Sequence, residues 1–283
     1  VLFRSGTVTP HRYGLPSVLK ELGYHNMFFL THESQYDNMN AFFRTNGYDA
    51  VYAQEDYPIG ERVNAFGVSD HYLFDYGLQR INEAARSNKP WMATLLTISN
   101  HPPYVMPDWF KPHAQDGELQ IVEYADWCIG DFLRKARRQQ WYQNTLFVIM
   151  ADHGKIVGQV DSELPESYNH IPLVICGPGV KPHITDRLAT QIDLMPTVLG
   201  LMGVGYDFDG FGVNLLKTRR SQVFYTADDQ VAARDRGGRF LYVPATGQAF
   251  REGKPATSHN DLQQYVFSMI QTAEYIMRRQ HDE

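Results

Sequence analysis

Cysteine is almost absent: the 283 residues hold two, Cys128 and Cys176, each in an apolar stretch. Two thiols cannot build the disulfide framework of a small secreted domain, so a hydrophobic core has to hold this fold and both thiols are expected to be free. Long apolar runs are missing as well. No segment reaches the roughly eighteen residues that cross a bilayer as a helix, and no signal peptide opens the chain. Basic residues are in the minority, 26 against 32 acidic, for a formal charge of −6. The one dense basic patch, Arg134-Lys135-Ala136-Arg137-Arg138, falls near the end of a predicted helix, where cations complement the macrodipole, so no nucleic-acid partner is expected. Three catalytic signatures are also missing: a Gly-x-Ser-x-Gly elbow, a Gly-rich loop followed by Lys-Ser or Lys-Thr, and a cysteine with an activating neighbour. Their absence closes the routes through an elbow serine, a phosphate-cradling loop and a thiolate.

What remains is a chain with 43% hydrophobic and 13% aromatic residues, enough to bury a large core. Apolar runs alternate with helical patterns. Residues 15–24 predict a short helix with Pro16 in its first turn and Gly23 as its stop; 26–31 predict a strand; a helix around 37–45 and a strand at 49–52 follow. Ser69 or Asp70 opens a helix with Leu73, Tyr76, Leu78, Ile81 and Ala85 on or near one face. The run 91–99 reads as a strand buried on both faces, followed by a long helix from Leu119 to Arg138 and central strands at 145–152 and 171–177. Asp193 reads as the cap of a helix ending near Gly203. Alternating strands and helices predict an α/β fold with an open, mostly parallel sheet. Beyond Ser221 short antiparallel-looking strands precede an amphipathic helix at about 260–279, a small α+β appendage.

Sites in open α/β sheets form beyond the carboxyl ends of the strands. Ser99-Asn100-His101-Pro102-Pro103 follows one predicted strand and Asp152-His153-Gly154 another, while His170 stands just ahead of a third. Neighbouring residues on a regular strand face opposite ways, so Asp152 and His153 can meet only if the chain turns there, a turn that Gly154 permits. One carboxylate and three imidazoles suit a divalent transition metal such as zinc or manganese and suit calcium poorly. The long stretch between Lys155 and Asn169 is able to fold His170 back over the site.

Four stretches, "TLFVIMADHG", "TISNHPPY", "SYNHIPLVI" and "QIDLMPTVLGLMG", together resemble the sulfatase-like branch of the alkaline phosphatase superfamily. The likeness is nearest to membrane phosphoglycerol transferases of the lipoteichoic acid synthase type; "ESQYDNMNAFFRTNGYD" and "FGVSDHYLFDYGL" add to it, and it runs from about residue 15 to 216. The resemblance implies an alkaline phosphatase-like fold and a divalent metal, manganese or zinc with magnesium as the alternative. It implies Asp152 and His153 as metal ligands, and His101, with Asn100, against the substrate phosphate or leaving group. His170 would contact substrate or a second metal, Asp37 and Asn38 would line the pocket or simply open a helix, and Asp193 with Pro196 would be structural.

The resemblance also implies an acidic ligand and a Thr or Ser nucleophile upstream of the matching region, together with membrane helices. None can be assigned here. The opening "VLFRS", residues 1–5, is what one reading frame of a common sequencing adapter encodes, and is expected to be foreign to a natural protein that continues upstream. The expected organisation is a catalytic domain over 6–218, truncated at its N-terminus, and an appendage over 219–283. The expected function is metal-dependent phosphoryl transfer or hydrolysis on lipid-linked phosphodiesters at the extracytoplasmic face of a bacterial membrane. The 283 residues themselves are expected to be soluble and inactive. A sulfatase acting on sulfated or phosphorylated glycans, and a non-catalytic binding remnant, are the alternatives.

Overall fold

A computed structural model describes residues 9–155, 164–206, 210–227 and 229–282. The chain divides into two compact units, one running to Thr145 and the other from Leu146.

In the first unit a parallel sheet has β1 (His25–Phe29) at its centre, flanked by β2 (Ala50–Tyr52) and β5 (Trp91–Leu95), with Met27 opposite Ala50 on one side and Ala93 on the other. Helix α1 (Leu15–Glu21) precedes β1 and α2 (Met39–Thr45) precedes β2; a short antiparallel pair, β3 (Arg62–Asn64) and β4 (Gly67–Val68), leads into α3. Phe28, Leu30, Tyr48 and Val51 form the core under this sheet, with Phe43 stacked on Phe28 at 3.8 Å. Each large side chain so buried contributes about 1.5–3 kcal/mol. Burial pushes the Tyr48 phenol up to about 12, although its hydroxyl shares a hydrogen bond with Thr94.

Helix α3 (Asp70–Ala85) buries Asp70, Leu73, Phe74, Gly77 and Ile81, a stripe at helical spacing. Phe74 and Gly77 occupy this face, whereas Leu78 is only half-buried. Gly77 faces the sheet closely: a Cβ on it would lie 2.6 Å from Leu95 Cδ2, so a side chain here would have to displace that methyl group. Helix α4 (Gly117–Ala136) starts at Asp116, whose carboxylate accepts from the amides of Glu118 and Leu119, and packs Phe132 on Phe74 with ring centres 5.2 Å apart. Its basic end is an ordinary paired helix terminus: Lys135 bridges Asp75 and Asp131, and Arg134 meets Asp131. Among the described residues no helix is long and apolar enough to cross a membrane.

In the second unit β6 (Phe147–Met150) pairs with β7 (Leu173–Cys176), and the pairing departs from expectation. It is antiparallel, with Phe147 opposite Cys176 and Met150 opposite Leu173. Leu173 and Val174 are exposed, so β7 is not an enclosed central strand, and β5 and β6 are half-buried along their length. An extended segment then carries the chain from Cys176, beside the start of β6, back to Gln191, which lies beside its end. Short helix α5 (Glu166–Asn169) precedes β7, and α6 (Leu194–Leu201) follows the extended segment.

Asp193 does not cap α6 with its side chain. Its fully buried carboxylate instead accepts from the amides of Thr190 and Val213 and from Arg220 Nε and Nη2, making it a hub rather than a cap. Beyond it an antiparallel sheet runs in the order β11-β10-β9-β8, from β8 (Val223–Ala227), β9 (Gln230–Arg234), β10 (Gly238–Val243) and β11 (Gln248–Gly253). Helix α7 (His259–Asp282) covers it, and Ala233, Phe240, Leu262 and Val266 form the shared core. Strand β9 was not expected from its alanine-rich sequence; pairing on both sides makes it a strand, and Ala232 and Ala233 are wholly buried.

Candidate functional site

In the second unit the chain leaves β6 through Ala151 and bends at Asp152, which brings the next side chain to the same side. Asp152 Oδ1 accepts from the His153 amide at 2.9 Å. His153 Nδ1 lies 2.7 Å from the Gly154 carbonyl, an acceptor, so Nδ1 carries a proton and, in the neutral ring, Nε2 keeps the lone pair. Nε2 stands 3.7 Å from Asp152 Oδ2, and both side chains are more than half exposed. One polar atom of each side chain is thus held by backbone while the other two lie close together.

Gly154 is required for space rather than for a left-handed turn. Its amide donates to Tyr168 O at 2.8 Å, and a Cβ on it would lie 2.0 Å from Ser167 O. This contact lays α5 against the Asp152-His153 bend and sets Tyr168 over His153, ring centres 5.4 Å apart, with His170 following α5 as an exposed residue. Gln191, which sequence reasoning did not single out, donates Nε2 to the carbonyls of Ala151 and Asp152. It stands two residues before Asp193, so the buried hub and the bend are joined through one short turn.

Asn100 and His101 belong to the first unit. Strand β5 stops at Leu95, and the chain beyond it is held by a side chain rather than by the sheet: Asp70 Oδ1 accepts from the amides of Ile98 and Ser99 at 2.9 and 3.1 Å. Asp70 is wholly buried and its Oδ2 has no hydrogen-bond partner among the described residues; burial pushes its carboxyl upward in spite of the hydrogen bonds from Ile98 and Ser99. Ser99 is buried, while Asn100 and His101 emerge. The His101 amide closes a turn on Ile98 O, its Nδ1 lies 2.8 Å from Pro102 O, and its ring packs on Phe66 at 4.2 Å. As with His153, the carbonyl holds the proton on Nδ1 and leaves Nε2 as the free nitrogen. The same end of α3 carries His71, whose Nδ1 meets Ser69 Oγ at 3.0 Å and Tyr124 OH at 2.6 Å; burial shifts this imidazole down, toward its neutral form.

Asp37 and Asn38 do not open α2 with a capping side chain. Both take left-handed backbone angles, φ 50° and 61°, in a turn ahead of it, and Asn38 Nδ2 donates to Thr9 Oγ1 at 3.4 Å. Beyond the end of β1, His32 is 4% exposed with Nδ1 3.0 Å from Glu33 O. Neither His32 nor Asp70 belonged to a cluster that the strand-end argument picked out, because both are buried; a polar residue flanking a strong apolar pattern was the available signal.

The donor chemistry at Asp152 and His153 fits a divalent metal. A carboxylate oxygen and an imidazole Nε2, each oriented by a second hydrogen bond, are the parts such a site needs. Two ligands do not complete one, and among the described residues no group of three or more His, Cys, Asp or Glu is placed to hold an ion.

The family model for sulfatases matches residues 6–204. The chain belongs to the sulfatase family. Among its relatives, phosphoglycerol transferase I of Xanthomonas campestris pv. campestris (strain B100) is 25% identical over 225 residues, 75% of this chain and 32% of that protein. Lipoteichoic acid synthase 1 of Bacillus subtilis (strain 168) is 23% identical over 244 residues, 78% of this chain and 37% of that protein. The chain therefore spans about a third of the length of these relatives. A protein of the alkaline phosphatase superfamily from Vibrio parahaemolyticus superposes with a TM-score of 0.78 at 26% identity, covering 89% of this chain and 65% of that one. The lipoteichoic acid synthase LtaP from Listeria monocytogenes gives 0.71 at 22%, covering 92% and 73%. This sulfatase-family chain thus has the alkaline phosphatase-like α/β fold that its motifs led one to expect.

Proposed function

We propose that this chain is part of a metal-dependent phosphotransferase or hydrolase acting on lipid-linked phosphodiesters at the extracytoplasmic face of a bacterial membrane. The observation that carries the reading is the Asp152-His153 pair: Oδ2 and Nε2 are 3.7 Å apart, and the other polar atom of each side chain is held by a hydrogen bond to backbone. Relatives that are phosphoglycerol transferases and lipoteichoic acid synthases support the substrate class. Manganese or zinc suits this donor pair, with magnesium the harder alternative. When bound, the ion supplies charge neutralisation for phosphoryl oxygens and activates a nucleophilic hydroxyl.

The chain's own residues are assigned as follows. Asp152 Oδ2 and His153 Nε2 bind the ion, and the Gly154 carbonyl holds the His153 tautomer that leaves Nε2 available. His101 is assigned to the departing oxygen, where Nε2 accepts a hydrogen bond when neutral and gives a proton when charged. Asn100 contributes an amide donor to the phosphate oxygens, and Asp37 and Asn38 line the substrate pocket. His170, carried by α5 toward the Asp152-His153 bend, is assigned to substrate or a second ion. No nucleophile or acidic ligand is assigned among the described residues, and the chain alone is expected to show no turnover of a chromogenic phosphodiester with zinc or manganese. Robust turnover that disappears in His153→Ala would overturn that expectation.

Substrate class is tested by 31P relaxation of glycerol phosphate in the presence of manganese and the chain. The expected result is strong relaxation enhancement in the wild type, lost in His153→Ala and poorly competed by an alkyl sulfate. Competition by the sulfate at lower concentration than by glycerol phosphate would favour the sulfatase reading, and enhancement equal in both proteins would rule out the site.

A further inference from the structure

In the second unit, the irregular segment between β7 and α6, the stretch leading to β8 and the turn between β9 and β10 line an open cavity of about 440 Å³. Four arginines line it: Arg187, Arg219, Arg220 and Arg236. Their carboxylate partners are few. Asp193 neutralises Arg220 in a buried, two-point ion pair, and Asp186 meets Arg236 at 3.3 Å in an exposed pair that contributes little. Arg187 is anchored through Nη1 to the Leu215 carbonyl at 2.9 Å, which positions it without neutralising it. Arg219 is exposed and has neither hydrogen bond nor ion pair among the described residues.

Four cations against two carboxylates leave a local excess of two positive charges on a chain whose formal charge is −6. A concavity lined by charges of one sign raises the local concentration of anions. Guanidinium forks match tetrahedral oxyanions by paired N–H donors, which a lysine or a spherical halide contact does not reproduce. The cavity is open on one side, so a phosphate held there can carry an ester substituent outward past Ile184, which is 98% exposed.

We infer that this cavity binds a phosphate group carried on an ester, with Arg187, Arg219 and Arg236 as the donors and Arg220 as the fixed wall. The inference does not rest on the metal-site reading. It is tested on the 283-residue chain, stripped of metal by a chelator, by calorimetric titration with inorganic phosphate at constant ionic strength set with chloride. Saturable binding is expected in the wild type, weakened about tenfold or more in the Arg219→Ala/Arg236→Ala double variant, and partly retained when both are changed to Lys. These positions lack buried partners, so an unchanged melting temperature should accompany the loss. Heat that does not saturate above the chloride control, or equal affinity in the double variant, overturns the inference. Sedimentation with phosphatidylglycerol vesicles, against phosphatidylcholine as control, then separates the two sources. Vesicle binding lost in the double variant assigns the site to a lipid headgroup, and phosphate binding without vesicle binding assigns it to a soluble phosphate ester.

Discussion

Asp70 shows how much one side chain can decide. A carboxylate in the dry interior of the first unit is expensive, and this one has an oxygen without a partner among the described residues, yet its other oxygen collects two backbone amides that no strand satisfies. Those amides belong to Ile98 and Ser99, immediately before Asn100 and His101. Asp70→Asn keeps an acceptor for both amides and removes the charge that burial opposes, so it should fold with near wild-type stability. Asp70→Ala orphans the amides and should cost about 2–4 kcal/mol in denaturant unfolding. Equal losses in the two variants would show that charge, rather than the two hydrogen bonds, is what this position supplies. Asp235 is a second case with the opposite shift. Burial raises its carboxyl, but the amides of Gly237, Thr257, Gly238 and Ala256 outweigh it and hold it below the usual range. A depressed native value contributes stability above the unfolded carboxylate range, about 4, and loses it as pH falls through the native value. Thermal melts between pH 2 and 5 should therefore show a steeper acid loss for the wild type than for Asp235→Asn.

At the scale of elements, the contact between α5 and the bend after β6 has a single requirement, the missing side chain of Gly154. Gly154→Ala would press a methyl group into the Ser167 carbonyl, a backbone atom that cannot rotate away. The expected result is displacement of α5 and a melting temperature several degrees lower, read together with faster amide exchange at Gly154, whose hydrogen bond to Tyr168 O would open. Unchanged exchange would mean that α5 is held elsewhere. Much at this scale was legible in the sequence. Helices α1, α3 and α4 follow apolar periodicity, and the parallel strands of the first unit follow apolar runs. Three features were not legible. The antiparallel pairing of β6 and β7 is a long-range choice that local pattern does not encode. Strand β9 exists because both neighbours pair with it. The reasons for Asp193 and Gly154 are contacts with residues far away in sequence, so their residue types signalled a cap and a turn instead.

At the scale of the whole molecule, the motifs identified the family before any coordinate did, because they record chemistry rather than packing. Asp152, His153, Asn100 and His101 could be named from strand ends and residue type; Asp70 and Gln191, which hold those stretches in place, became visible only once their hydrogen bonds were. Two compact units, each carrying part of the candidate machinery, and a span of about a third of the curated relatives make metal binding the function to measure before turnover. The direct measurement is manganese binding to the 283-residue chain, followed by electron paramagnetic resonance of the free ion, in the wild type, Asp152→Asn and His153→Ala. Saturable binding to one site, weakened about tenfold or more in each variant, is the predicted result. Binding of equal strength in all three proteins would contradict the assignment of this pair as metal ligands.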